Sequence, residues 1–424
     1  MSSSQDSLLR VVGPLGLAAG IVNITVGGGI FRLPASVASS LGAAAPLAYL
    51  VCAVAMGLIV ACVADAGRRV PLTGGAYAYV GVALGPYAAF LTGGLLVLVG
   101  SFATAAVATV YAASVGLLVP ALGGSAGEAV VLLATFGFWA VVNFRGISLA
   151  AGLNTVATVA KLLPLLLVAV GGLFAMNGAN LRVEAWPSPG DVARTSLLLI
   201  FAFAGIETAL VPSGEVRDPA RTVPRAIARA MAGITVLYLM LQVSVQGILG
   251  DALPGAEVPL ADAAERAFGG WARTLLLSGA AVSMFGYLGG MVLSMSRMLF
   301  ALARDGYLPA ALASLHPTYR TPQVAIVATA IVPCALAATG TFEPLAVLAN
   351  ASVLALYLSS VVASWQLGRR DGDAGARAAV PVLAALVIAW LFTGMTRREW
   401  LAFGTCLAVL SAIYAMARRR ATPA

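Results

Sequence analysis

Two side chains that carry charge in water sit inside apolar runs: Lys161 in NTVATVAKLLPLLLVAV and Glu207 in FAFAGIETALV. A charge at membrane depth costs at least about 2.5 kcal/mol, so a side chain kept there marks an ion or substrate site by default. Lys161 carries a second signal. Of the 25 basic residues it is the one lysine, the others all being arginine. An ammonium withdrawn from water gives up a proton more readily, whereas a guanidinium effectively never does. The pattern therefore points to a releasable charge. The alternative is a lysine snorkelling to the interface, a long reach from a position about 15 Å into its segment. For Glu207 the alternative is a carboxyl that is protonated or bonded within helix packing.

Backbone chemistry is signalled at two further places. Gly27, Gly28 and Gly29 are consecutive in the middle of an apolar run. Each glycine costs a helix interior about 1 kcal/mol relative to alanine, so the helix is expected to unwind there. Close packing of small residues against a neighbouring helix is the alternative. A second interruption falls at Ala204 and Gly205, immediately before Glu207. Broken helices at corresponding positions in two halves of a membrane protein point to a transporter binding site. At such a break, half-helix amides suit a carboxylate and unwound carbonyls suit an ammonium. An α-amino acid carries both groups.

These residues need long apolar elements to hold them, and the composition supplies them. Hydrophobic residues make up 60% of the 424 and charged residues 10%, against about 45–50% and about 25% in soluble domains. The chain has too few charges to cover a water-facing surface. Spanning windows fall at about 11–40, 42–64, 86–118, 127–144, 151–175, 194–214, 226–249, 272–302, 322–340, 345–367, 379–394 and 400–417. All twelve are read as helices, since a lone segment in lipid must satisfy its own backbone, and the alternating ten-residue segments of a β-barrel are not found. No Ser/Gly linker divides the chain, so 1–424 is read as one transmembrane domain.

Arginine in the loops sets the orientation. With the amino terminus inside, sixteen arginines fall on the cytoplasmic connections, among them Arg68, Arg69, Arg369, Arg370 and the terminal Arg418–Arg420, against six on the opposite side. This is a positive-inside bias, so both termini are expected in the cytoplasm. The net charge of +8 is read as this topogenic signal and not as a nucleic-acid surface. Short helices outside the spans are expected in 251–270, on LADAAERAF, and after the second span, around Tyr77 and Tyr79. Asp65 reads as an interface residue and Arg297 as structural.

Other chemistries are disfavoured. One histidine, His316, cannot make a metal site alone, and no cofactor is expected. Cys52, Cys62, Cys334 and Cys406 all lie in apolar runs as small buried hydrophobes, and Cys52 and Cys62, about 15 Å apart on one helix, cannot pair. No cleavable signal peptide is read in the first run. An enzyme needs a catalytic constellation that the few intramembrane ionisable residues do not supply, and a channel filter or charged ring is not found. A non-transporting sensor on the same fold stays open.

Several stretches resemble the amino acid–polyamine–organocation (APC) transporters: GGGIFRLP at 27–34, PLTGGAYAYVGVALGP at 71–86, FAFAGIE at 201–207 and GEVRDPARTVPRAI at 214–227, followed by SRMLFALARDGYLP at 296–309 and HPTYRTP at 316–322. The resemblance covers nearly the whole chain. It implies an all-α, LeuT-like 5+5 inverted repeat, with one repeat over about 11–175, the second over about 194–367, and two added helices over about 379–417. It further implies that Gly27, Gly28, Gly29 and Ile30 hold the substrate carboxylate and that Thr25, Phe201, Ala202 and Ala204 offer carbonyls to the amine. Phe201 would lie over the substrate as a gate, with Met291 of the eighth helix in the side-chain pocket. The motif departs from its common form at Gly28, where serine is frequent. Glu207 is similar to acids found in some exchangers.

In several proton-coupled or sodium-independent APC members a fifth-helix lysine occupies the sodium space. That resemblance implies that Lys161 bridges the first, fifth and eighth helices, with proton symport as the first choice and sodium-independent exchange around a permanently charged lysine as the alternative. The reading is a bacterial inner-membrane amino acid permease driven by protons. A neutral substrate is the first choice, and a cationic amino acid or polyamine exchanged by antiport is the second. The partners are the amino acid, protons and the bilayer, with no nucleic acid and no obligatory protein.

Overall fold

A computed structural model describes residues 14–70, 75–145, 161–209, 218–373 and 375–421. Among these residues every regular element is helical. Seven stretches are long and apolar enough to cross a membrane, and shorter apolar helices accompany them; the protein is a multi-pass membrane protein. The start of the fifth predicted segment (146–160), the end of the sixth with the first residues of GEVRDPARTVPRAI (210–217) and residues 71–74 lie outside the described residues.

The helices are α1 (Pro14–Thr25), α2 (Gly29–Leu41), α3 (Ala45–Arg69), α4 (Ala76–Leu84), α5 (Pro86–Leu118) and α6 (Gly124–Arg145). After these come α7 (Lys161–Ala175), α8 (Pro189–Phe203), α9 (Ile206–Ala209), α10 (Pro219–Leu249), α11 (Pro259–Phe268) and α12 (Gly270–Arg304). The chain closes with α13 (Gln323–Thr339), α14 (Phe342–Arg370), α15 (Ala376–Phe392) and α16 (Arg397–Ala421). Each apolar window therefore contains a helix, and the two short helices expected outside the spans are α11 and α4.

Where the ends differ from the hydropathy windows, polar side chains explain it. α3 continues past residue 64 because Asp65 pairs along the helix with Arg68 and Arg69, at 2.8 Å each. α8 begins at Pro189, before the apolar run, because the Ser188 hydroxyl accepts the Asp191 amide at 3.1 Å and proline suits the first helical position.

The first and sixth windows are both interrupted. α1 stops at Thr25 and α2 starts at Gly29; α8 stops at Phe203 and α9 starts at Ile206. The halves pair crosswise, α1 against α9 and α2 against α8. Around them pack α3, α7, α10, α12 and α14, so the two breaks lie deep inside the bundle.

Candidate functional site

The two breaks touch. Gly205 has φ +129°, and a Cβ there would meet Ile24 Cγ2 at 2.9 Å and the Thr25 nitrogen at 3.2 Å. Only glycine combines that conformation with so close a backbone approach. On the other side of the contact, a Cβ on Gly29 would reach the Phe201 ring at 3.0 Å, so the ring lies directly on the start of α2. The triple glycine and the Ala204–Gly205 pair thus serve one junction.

A cavity opens there, lined by Thr25, Gly27, Gly28, Gly29, Phe201, Ala204, Gly205, Glu207 and Met291, with Tyr287 and Asn350. The space between atoms is about 430 Å³, but the centre of a water molecule can move through only about 20 Å³ of it. The walls are drawn close, with room for about one water. Ile30 and Ala202 are buried but do not line the cavity. For Ile30 the reason is helical: one residue past Gly29 is a rotation of about 100° around α2.

Burial forces every carbonyl at the breaks to find a donor. Three side chains from other helices supply them. Lys161, fully buried on α7, donates to the Asn23 carbonyl at 2.7 Å, the Asn23 side-chain oxygen at 3.0 Å and the Val26 carbonyl at 2.7 Å. Three acceptors match the three protons of an ammonium. Ser283 on α12 donates to the same Val26 carbonyl at 3.2 Å, so the first-helix break, α7 and α12 meet at one oxygen. Tyr238 on α10 donates to the Thr25 carbonyl at 3.1 Å and the Ala202 carbonyl at 3.0 Å, spanning both breaks.

Tyr238 escaped the sequence reading. Its one signal is a lone phenol in the aliphatic run TVLYLML. It changes the account of two carbonyls: those of Thr25 and Ala202, expected to await an amine, are held by this hydroxyl. Asn350 was also missed. It is buried on α14, donates its amide to the Leu197 and Leu198 carbonyls at 2.9 and 3.2 Å, and its side-chain oxygen has no partner among the described residues.

Glu207 is buried and bonded. Both carboxylate oxygens accept the Gly205 amide at 3.0 Å, and Tyr357 of α14 donates to one of them at 2.6 Å. The carboxyl ties the sixth-window break to α14. At one end of the bundle, Arg69 pairs with Asp65, Asp371 and Asp373, and the Ser364 hydroxyl also donates to Asp65, at 3.2 Å. Asp65 thus holds α3 to α14. Arg297 donates to the Leu293 carbonyl and Ser296 on its own helix, at 2.9 and 3.0 Å.

Comparison with known proteins finds relatives over most of the chain. The family profile described as "Amino acid permease" matches residues 12–396. An uncharacterised transporter of Mycobacterium tuberculosis is 33% identical over 371 residues, 87% of this chain and 82% of the relative. The methylthioribose transporter of Bacillus subtilis is 26% identical, covering 99% and 95%. The branched-chain amino acid permease BcaP of the same bacterium is also 26% identical, covering 91% and 88%.

Proposed function

Because the chain belongs to the amino acid permease family, we propose that it is a secondary transporter carrying a neutral α-amino acid inward by alternating access, coupled to protons and independent of sodium. The observation that carries this reading is the junction of two broken helices around one cavity. The Gly29 and Ile30 amides at the start of α2 have no acceptor inside their own helix and suit a carboxylate at Gly27–Gly29, while carbonyls at the ends of α1 and α8 suit an ammonium. The architecture proposed is the LeuT-like 5+5 repeat, about 11–175 and 194–367, with two further helices at about 379–417. Both termini are in the cytoplasm of a bacterial inner membrane.

In this mechanism Tyr238 is a positioning residue. Its single proton is shared by two carbonyls; a substrate ammonium with three protons can serve them at greater strength. Phe201, lying over Gly29, is the lid that must move for substrate to enter or leave. Lys161 holds the position of a bound cation beside Asn23 and Val26, and its proton is the coupling charge. A neutral substrate is preferred to a cationic one because the oxygens of Glu207 already accept from Gly205 and Tyr357, leaving no free acid for a second amine.

Uptake of a radiolabelled amino acid panel into proteoliposomes, under imposed pH or sodium gradients, tests the proposal. Accumulation of a small or branched neutral amino acid, driven by an inward proton gradient, is the expected result. A sugar lacking both carboxylate and ammonium, methylthioribose, is the control suggested by the relative. Its uptake in place of amino acids overturns the assignment, as does exclusive inhibition by arginine, lysine or polyamines. Counterflow separates transport from sensing.

A further inference from the structure

α2 has one face that does not resemble the rest of the molecule's surface. Nine of its thirteen residues are buried, and the remaining four are Arg32, Ser36, Ser39 and Ser40. At about 100° per residue these four fall within an arc of about 100°, and Gly29 lies on the same arc at its base. Gly29 lines the cavity, and Arg32 stands one turn above it. The face therefore runs from the cavity mouth, past the Phe201 ring, to the far end of α2.

Exposed positions on other helices are of a different kind: Val130, Leu133 and Val141 on α6, and Val324, Val327 and Ile331 on α13. Those faces are built for lipid. Ser39 and Ser40 return their hydroxyls to the Ser36 carbonyl, so it is Arg32 that marks this face as one for water, because an unpaired guanidinium against hydrocarbon is costly. Arg32 is exposed, and among the described residues it takes part in no ion pair or hydrogen bond. It lies about 13 Å of helix rise below Leu41, too deep to reach the interface by snorkelling.

We infer that Arg32 is an outer recognition site for the substrate's carboxylate, at the base of an aqueous vestibule along α2, and that its charge selects against substrates with excess positive charge. The inference rests on the amino acid reading above and names the class more narrowly: a free carboxylate and no net cation. An approaching amino acid meets the guanidinium first. The carboxylate then passes one helical turn down to the α2 amides when Phe201 yields. A fixed cation in a narrow, low-dielectric vestibule raises the local concentration of anionic groups and the on-rate. Arginine suits the task because its planar fork pairs with a carboxylate.

Two measurements test this in proteoliposomes. In the first, Arg32→Gln is compared with wild type for uptake of the preferred amino acid at low ionic strength, with the corresponding amino acid amide as competitor. We expect KM for the acid to rise about five- to tenfold, turnover to hold, added salt to shrink the difference, and competition by the amide, a net cation, to strengthen. An unchanged KM, or equal losses for acid and amide, overturns the inference. If the wild-type protein carries no amino acid, the transport reading fails, and the second measurement decides for Arg32 alone.

That measurement places Ser36→Cys in a background lacking Cys52, Cys62, Cys334 and Cys406, and labels it from outside with membrane-impermeant thiosulfonates. The anionic sulfonate reagent should react several-fold faster relative to the cationic trimethylammonium reagent than it does when Arg32→Gln is added. No labelling by either reagent means that the face meets lipid, and an unchanged ratio means that Arg32 exerts no field there; either result overturns the inference.

Discussion

Replacing Lys161 separates a coupling charge from a structural cation. Lys161→Ala leaves the carbonyl and side-chain oxygen of Asn23 without the donor seen here, while the Val26 carbonyl keeps Ser283. Two newly unsatisfied buried acceptors cost about 1–3 kcal/mol each, about 2–6 kcal/mol together. Relief from burying an ammonium works against that loss, so the net destabilisation falls at or below the low end of that range, about 2 kcal/mol. This lowers the melting temperature in detergent without preventing insertion. The functional loss is larger, since no titratable cation remains at the junction, and accumulation driven by a proton gradient should vanish. Lys161→Arg keeps the charge but cannot readily release it, so it too should fail to accumulate substrate while retaining some exchange. The assay is uptake against counterflow in the same proteoliposomes, with external pH stepped downward and a protonophore added at the end. In the wild type, uptake should rise as external pH falls, collapse with the protonophore and ignore sodium. Gradient-driven accumulation by Lys161→Ala, or a sodium requirement in the wild type, refutes the coupling assignment. Full symport by Lys161→Arg refutes proton release from this side chain.

Three further substitutions probe the junction itself. Gly205→Ala forces a side chain into φ +129° against Ile24 and Thr25 and should cost about 2–4 kcal/mol, seen as a lowered melting temperature together with lost uptake; wild-type behaviour in both would mean that the breaks do not need this contact. Tyr238→Phe removes the donor shared by Thr25 and Ala202. It should cost about 1–3 kcal/mol and shift substrate affinity more than surface expression, a split that a purely structural tyrosine would not give. Phe201→Ala should weaken occlusion, raising KM and leak more than it lowers expression, and an unchanged transport rate and affinity would remove the ring from the gate.

The sequence carried more of the fold than of the site. Hydropathy located the long helices because lipid demands continuous apolar runs, and the glycine triple and Ala204–Gly205 marked both breaks because helices tolerate such residues poorly. Lys161 was legible by contrast with a chain that otherwise uses arginine. Helix ends were less legible: Asp65 with Arg68 and Arg69, and Ser188 with Asp191, extend helices by side-chain bonding that hydropathy does not register. Tyr238 and Asn350 were hidden for another reason. Their roles depend on which carbonyls lie opposite them, more than thirty residues away in the chain for Tyr238 and Ala202, and more than a hundred for Asn350 and Leu197. Glu207 was noticed, but only the geometry reveals that Gly205 and Tyr357 already use its oxygens.

The breaks are therefore made by glycine and kept by donors from elsewhere. An unwound segment in a dry interior is stable only when its carbonyls are served, and here Lys161 serves Asn23 and Val26, Ser283 serves Val26, and Tyr238 serves Thr25 and Ala202. These donors stand on α7, α12 and α10, three different helices. Any rocking of α1 and α9 against that surround must exchange these bonds, so α1 cannot move freely while all of them hold. A substrate that brings its own ammonium can replace Tyr238 at both carbonyls, and a proton leaving Lys161 removes one of three donors. Both proposed events, substrate binding and proton release, thus act on the same short stretch of backbone from Asn23 to Val26. That shared stretch gives them a physical route to coupling that needs no relay through the rest of the bundle.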